Sequence, residues 1–270
     1  MSSTQYPGRI RAPRFSTSAI IQEAEALGEE VIRVLNYPAA LLSISFDAAY
    51  EQVIYPTYGI GLVDTEDLGV DAINGDKILG KYDPIENVAY IDRTLMHDPR
   101  REFTCWHEVG GHGILQGDWL RKELARLHRQ CHVETTEANL DIATSDLLER
   151  QANLFAAHTG APTLLLYYAI DDLLNLTRPI RYVGPTYYTL DFHGDCRRYM
   201  VESLNHLYWI LAKQVQWRFG SLSIEALSYR IQSMRIIQDV TKSGFCINRT
   251  TKRLPSLAIP TGTAYATVPG

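Results

Sequence analysis

Apolar residues at Ile20, Ala24, Leu27, Val31 and Leu35 recur at the spacing of one helix face. The stretch from Ser16 to Leu35 therefore predicts an amphipathic helix, with Ser or Thr to cap it and Tyr37-Pro38 to end it. A shorter helix is expected over 46–54, starting near Asp47. The pattern changes at Gly59. The runs 59–64, 77–82 and 87–92 are rich in Ile, Val, Leu and Tyr and are separated by Gly, Asp, Asn and Pro. They predict a small antiparallel sheet of about three strands. Asp98 as cap and Pro99 at the first helical position predict a helix running to about Leu115, with Phe103, Trp106 and Ile114 turned to the core. A basic helix is expected over 119–132. Another opens at Thr144-Ser145-Asp146 and is ended by Gly160 and Pro162. Residues 163–192 are apolar and tyrosine-rich, broken by Pro179, Gly184 and Pro185. Residues 199–210 and 224–234 read as amphipathic helices, the second capped by Ser223. The fold class is α+β, with a helical C-terminal part.

Composition narrows the class. Of 270 residues, 46% are hydrophobic and 21% charged, an ordinary balance for a soluble globular chain. No run of 18 apolar residues is present, so no transmembrane span is expected. Residues 1–15 are arginine-rich, have no apolar stretch of a secretory signal, and read as a disordered arm. The main domain is expected over 16–180, the helical C-terminal region over 181–246, and a loose tail rich in Thr, Pro and Gly over 247–270. The four cysteines (105, 131, 196, 246) share no C-x-x-C spacing and read as free thiols, which points to the cytoplasm. Charge is uneven. Residues 193–253 hold ten Lys or Arg against four Asp or Glu, in a chain of net charge −5. Such a basic part can meet nucleic acid or an acidic partner, or can simply be a solvated helical face. Helix, Gly-Ser turn and helix superficially resemble a helix-turn-helix, but only Tyr229, Arg230 and Arg235 are candidates to face a groove.

Candidate chemistry lies at His107-Glu108-Val109-Gly110-Gly111-His112 and, 37 residues later, at Glu149. Two imidazoles and one carboxylate can bind zinc and leave a position open for water, while a nearby free carboxylate takes that water's proton. This reading makes His107, His112 and Glu149 the ligands and Glu108 the general base. In H-E-x-x-H the histidines are four apart. Here they are five apart, about 140° on an ideal α-helix. A single-turn π-bulge at Gly110-Gly111 would absorb the extra residue. Without it the imidazoles point apart, and the chain would be a catalytically inactive protein that binds a partner or DNA. Glu149 and Asn153 share a helix face, so Asn153 can hydrogen-bond a ligand histidine. Ala152 and Ala156 would let the two helices approach closely. His158, about 180° round from Glu149, should stay outside the site. His128 and His132 also have i, i+4 spacing, but read as surface residues. Tyr182, Tyr187, Tyr188 and His193 are candidates to line a cleft and stabilise an oxyanion.

The surrounding residues add a resemblance. Arg101, Phe103, Thr104, His107, Glu108, Gly110 and His112, followed by Glu149, Ala152, Asn153, Phe155, Ala156, Ala157 and Pro162, resemble the ImmA/IrrE family of zinc metallopeptidases. The likeness is clearest over about 75–162 and returns at 219–231. The chain departs from the family pattern in the extra residue between the histidines and in Glu102, which separates Arg101 from Phe103. The resemblance implies a zincin-like α+β fold, Zn2+ as cofactor, and a zinc-dependent endopeptidase. It also implies a protein substrate such as a transcriptional repressor in stress or mobile-element regulation. From the hydropathy and charge patterns, no membrane partner is expected, and nucleic acid only through the basic C-terminal region. In the family the small sheet borders the active-site cleft, where an extended substrate can add as a strand.

Overall fold

The computed structural model describes residues 13–35, 44–70, 75–130, 142–174, 179–192, 194–220 and 222–241, with only the backbone at 127–130 and 142–144. Helix α1 spans Thr17–Val34 and is capped by Ser16, whose hydroxyl accepts from the Ala19 amide. Its Ile20, Ala24, Leu27 and Val31 are buried, so the helical spacing read from the sequence is the core-facing stripe. The second helix is continuous but changes hydrogen-bond period: α2 (Phe46–Ala49), a π segment (Tyr50–Ile54) and α3 (Tyr55–Tyr58), closed by Gly59 at φ 62°. Ser45 gives α2 no side-chain cap. Glu102 does this from a distance, accepting from the Phe46 amide at 2.8 Å. The glutamate that interrupts the Arg-Phe pair thus satisfies the first turn of another helix.

The three expected strands form as β1 (Gly61–Thr65), β2 (Gly80–Asp83) and β3 (Val88–Asp92), in the order β1-β3-β2. Their sheet is mixed, where an antiparallel one was expected. β2 pairs antiparallel with β3, but β1 pairs parallel with β3 in the register Gly61↔Val88 to Thr65↔Asp92. Hairpin logic holds for the short turn between β2 and β3, where Asn87 takes φ 57°. It does not extend to the long stretch between β1 and β2, which can carry the chain to the far side of β3 in a crossover.

After the sheet, α4 (Arg100–Cys105) runs directly into a π-helix, Trp106–Leu115. Asp98 accepts from the Arg100 amide at the helix start. Helices α5 (Gly117–Gln130), α6 (Ile142–Gly160) and α7 (Thr163–Leu174) follow. The region from 180 onward is not purely helical, as was expected of it. Strand β4 (Ile180–Tyr182) pairs parallel with β7 (Ile237–Asp239), and β5 (Thr186–Phe192) forms an antiparallel hairpin with β6 (Asp195–Val201). Tyr199 lies in β6, and the helix expected from there is α8, Leu204–Val215, capped by Ser203. Alternating burial of Tyr188, Leu190 and Phe192, with Gly194 at φ 85° in the turn, is the strand period within this region. Helix α9, Ile224–Ser233, starts at its expected cap, Ser223. One hydrophobic cluster runs from Ile20 to Ile237 and takes in both the helices around the sheet and the C-terminal elements.

Of the expected N-terminal arm, residues 13–15 are placed: Phe15 packs on the core and the Pro13 carbonyl accepts from Gln151. Residues 1–12, His132 and the tail from 247 lie outside the described residues, as does the His128 side chain. No described helix is long and apolar enough to cross a membrane.

Candidate metal centre

The π-helix decides whether His107 and His112 can act together. Hydrogen bonds from i to i+5 stack residues five apart. The extra residue is absorbed over ten residues, Trp106–Leu115, a longer π segment than the single-turn bulge expected from the sequence. The imidazole Nε2 atoms of His107 and His112 lie 3.0 Å apart, with the rings edge to face. Helix α6 brings Glu149 to the same point: Oε2 is 3.1 Å from His107 Nε2 and Oε1 is 3.3 Å from His112 Nε2. The three donors form the one potential metal-binding group among the described residues, all within 4.8 Å of one another.

Glycines do more here than relax the backbone. A Cβ at Gly111 would lie 2.5 Å from the Ala152 Cα, and one at Gly110 would lie 2.9 Å from the Phe155 ring. Their absent side chains let the π-helix press against α6. Ala152, one turn beyond Glu149, is the small residue it meets, which is why a carboxylate on a second helix reaches the histidines. Trp106 is fully buried, edge to face with Phe46 at 4.9 Å, and serves packing.

The donor set fits a zinc ion. Two ligands at about 2.0–2.1 Å from a tetrahedral metal lie about 3.3–3.4 Å from each other, close to the donor separations here. Electrostatics point the same way. Burial opposes a charge on His112, but Glu149 and Glu108 beside it prevail and lift its pKa to about 9. Burial also works against ionisation of Glu149, yet hydrogen bonds from His107 and His112 hold its carboxyl well below the usual range. The polypeptide alone thus holds a proton at the place where the donors converge, and a metal cation there would release it.

Glu108 is almost fully buried, with Oε1 3.9 Å from His107 Nε2. It lies against Gly80 of β2: a Cβ there would come within 2.6 Å of Glu108 Cγ and 2.7 Å of its Oε1. The edge strand and the candidate base are therefore in direct contact. Asn153 Oδ1 is 3.1 Å from His107 Nδ1, as its place on the Glu149 face implied. Gln116 was not foreseen. Its Oε1 is 2.9 Å from His112 Nδ1. The available signal was its position four residues after His112, within reach along one helix.

Other candidates lie elsewhere. His158 bonds Glu25 at 2.9 Å and Arg230 at 3.2 Å, outside the metal group as expected. Arg230 is buried against the Ala161 carbonyl and Glu25, so it cannot face a nucleic-acid groove. Arg197 and Arg218 pair with Asp195 and Asp172, which further reduces the free basic charge of this part. Tyr188 donates to the Gly184 carbonyl and stacks on Tyr182, and Tyr187 lies under Arg198. These tyrosines shape the C-terminal part, and their contacts are not with the metal group. His193 is outside the described residues.

Arg101 pairs with Asp47 and Asp64, tying α4 to the second helix and to β1. No protein-family model matches the chain, and no curated protein matches it.

Proposed function

We propose that the chain is a zinc-dependent endopeptidase of the ImmA/IrrE type, with a zincin-like core, His107, His112 and Glu149 as metal ligands, and Glu108 as general base. The observation that carries the reading is the convergence of two imidazole nitrogens and one carboxylate, drawn from two helices, with donor separations of 3.0, 3.1 and 3.3 Å. Zinc bound there would polarise a scissile carbonyl and acidify a water. Glu108, one residue after the first ligand, accepts the proton of the attacking water and returns it to the departing amine. Gly80 keeps that side chain against β2, and β2 is an edge strand. In the register with β3, Lys81 and Asp83 face the partner strand, so Gly80 and Tyr82 turn their backbone groups to the other edge. An extended peptide paired there would pass beside Glu108.

The resemblance in sequence supplies the substrate class, a regulatory protein such as a transcriptional repressor. The free thiols of Cys105 and Cys196 fit a reducing, cytoplasmic setting. The reading of an inactive relative drew on imidazoles pointing apart, and the two Nε2 atoms face each other.

Elemental analysis of protein purified without added metal tests the proposal. About one zinc per chain is expected, and loss of that zinc in the His107→Ala, Glu149→Ala double variant. A wild-type protein without zinc, or a double variant that keeps it, would refute the proposal.

A further inference from the structure

We infer that Gln116 is the positioning residue that decides which nitrogen of His112 faces the metal position, and that Gln151 in turn orients Gln116. The inference rests on the zinc reading above. Gln116 is completely buried at the end of the π-helix. A primary amide can turn round with little change in shape, exchanging its donor and acceptor ends. Here a backbone carbonyl selects the orientation. The Leu148 oxygen, 2.8 Å from Gln116 Nε2, can only accept, so the NH2 end lies there and Oε1 faces His112. Oε1 also can only accept. The hydrogen between Oε1 and His112 Nδ1, 2.9 Å apart, therefore belongs to Nδ1. In the neutral imidazole that a cation would bind, the lone pair is then on Nε2, turned toward His107 and Glu149, as a metal ligand requires. The opposite amide orientation would favour a hydrogen on Nε2, aimed at the place a cation must occupy.

A second carbonyl holds the arrangement one residue further out. Gln151 Nε2 donates to the Pro13 oxygen at 2.9 Å, which turns Gln151 Oε1 toward Gln116 Nε2 at 3.4 Å. Gln151 is buried as well. Leu148 and Gln151 flank Glu149 on α6. The helix that supplies the carboxylate therefore also supplies the groups that orient the imidazole, and the Pro13 carbonyl closes the relay.

The test compares wild type, Gln116→Leu and Gln116→Glu by zinc competition with a chromophoric chelator and by melting of the metal-free forms. Gln116→Leu removes the acceptor, and zinc affinity should fall about 10–100-fold. Gln116→Glu still accepts from Nδ1 but no longer donates to Leu148. It should keep near-wild-type zinc affinity while melting at a lower temperature. A purely structural Gln116 would instead lose affinity in both variants in step with melting temperature, and that result overturns the inference, as does undiminished affinity in Gln116→Leu. If the leucine variant does not fold, long-range proton–nitrogen spectra of the zinc-loaded wild type decide. Metal on Nε2 with a protected Nδ1 hydrogen is expected, and metal on Nδ1 overturns the inference. A wild type that takes up no zinc removes both the metal reading and this inference. Zinc bound equally by wild type and Gln116→Leu removes the positioning role alone.

Discussion

Helix α6 carries two His–Glu clusters with opposite fates. Near its start Glu149 meets His107 and His112; nine residues later His158 meets Glu25 of α1 and Arg230 of α9. In the second cluster the protein supplies its own cation. Arg230, 3% exposed, donates to Glu25, to Thr163 and to the Ala161 carbonyl, while Glu25 also accepts from the Thr163 amide that begins α7. Its guanidinium donates to His158 Nε2, so that imidazole is neutral with its hydrogen on Nδ1, facing Glu25. In the first cluster no Arg or Lys among the described residues pairs with the two imidazoles or with Glu149, whose side chain is 53% exposed. Imidazole beside carboxylate does not by itself make a metal site. What distinguishes one is convergence of several donor atoms on a point that solvent can reach and that no arginine or lysine fills.

The sharpest way to break this contrast is Glu108→Gln. If the first cluster is catalytic, the variant keeps zinc, because Glu108 is not a ligand, and loses cleavage by about 10²–10⁴-fold, because a neutral amide cannot take the water's proton. Turnover of a protein that the wild type cleaves, measured alongside zinc content, reads both. Full activity in the variant would remove Glu108 from the mechanism.

Arg230→Met probes the second cluster. It leaves the Glu25 carboxylate partly buried without its cation, and breaking such a pair costs about 3–5 kcal/mol. Urea denaturation should show that loss while zinc stoichiometry stays at the wild-type value. Lost zinc at unchanged stability would mean that the two clusters are not separate devices.

The smallest effect is in pH dependence. Burial and the neighbouring Arg230 depress His158 below its ordinary 6.5. For Glu25, burial acts upward but is outweighed by hydrogen bonds from His158 and Thr163 and by Arg230, so its pKa lies below 4.5. Both groups bind fewer protons folded than unfolded. Their contribution is therefore fully present above the unfolded values and declines as pH falls, first below about 6.5 for His158 and then below about 4.5 for Glu25. His158→Gln should flatten the upper limb in denaturant titrations between pH 7.5 and 5. A limb of the same slope in the variant would assign that acid sensitivity to other groups.

Much of this was legible along the chain. The stripe of α1, the cap Ser223 and the shared face of Glu149 and Asn153 all depend on residues within a turn or two of each other, where helical spacing sets the outcome. The five-residue interval of His107 and His112 left two outcomes, a π-bulge or imidazoles pointing apart, and neither the choice nor the extent over ten residues was readable from Gly110-Gly111. The C-terminal hairpin is written in the alternation of Tyr188, Leu190 and Phe192, while the helical expectation for 181–246 rests on the amphipathic runs 199–210 and 224–234.

The sequence by itself determined the donors and the local geometry that can present them. Tertiary structure alone decided what meets what. It made Gly111 the contact that admits α6, placed β1 parallel to β3, turned Glu102 into the cap of a distant helix, filled one His–Glu cluster with Arg230, and set Gln116 and Gln151 behind His112. The reason is physical. Pairs within one element interact at a spacing fixed by its backbone period. Partners on different elements are chosen by close packing and by the need of every buried donor and acceptor for a mate, and neither leaves a periodic trace in the chain.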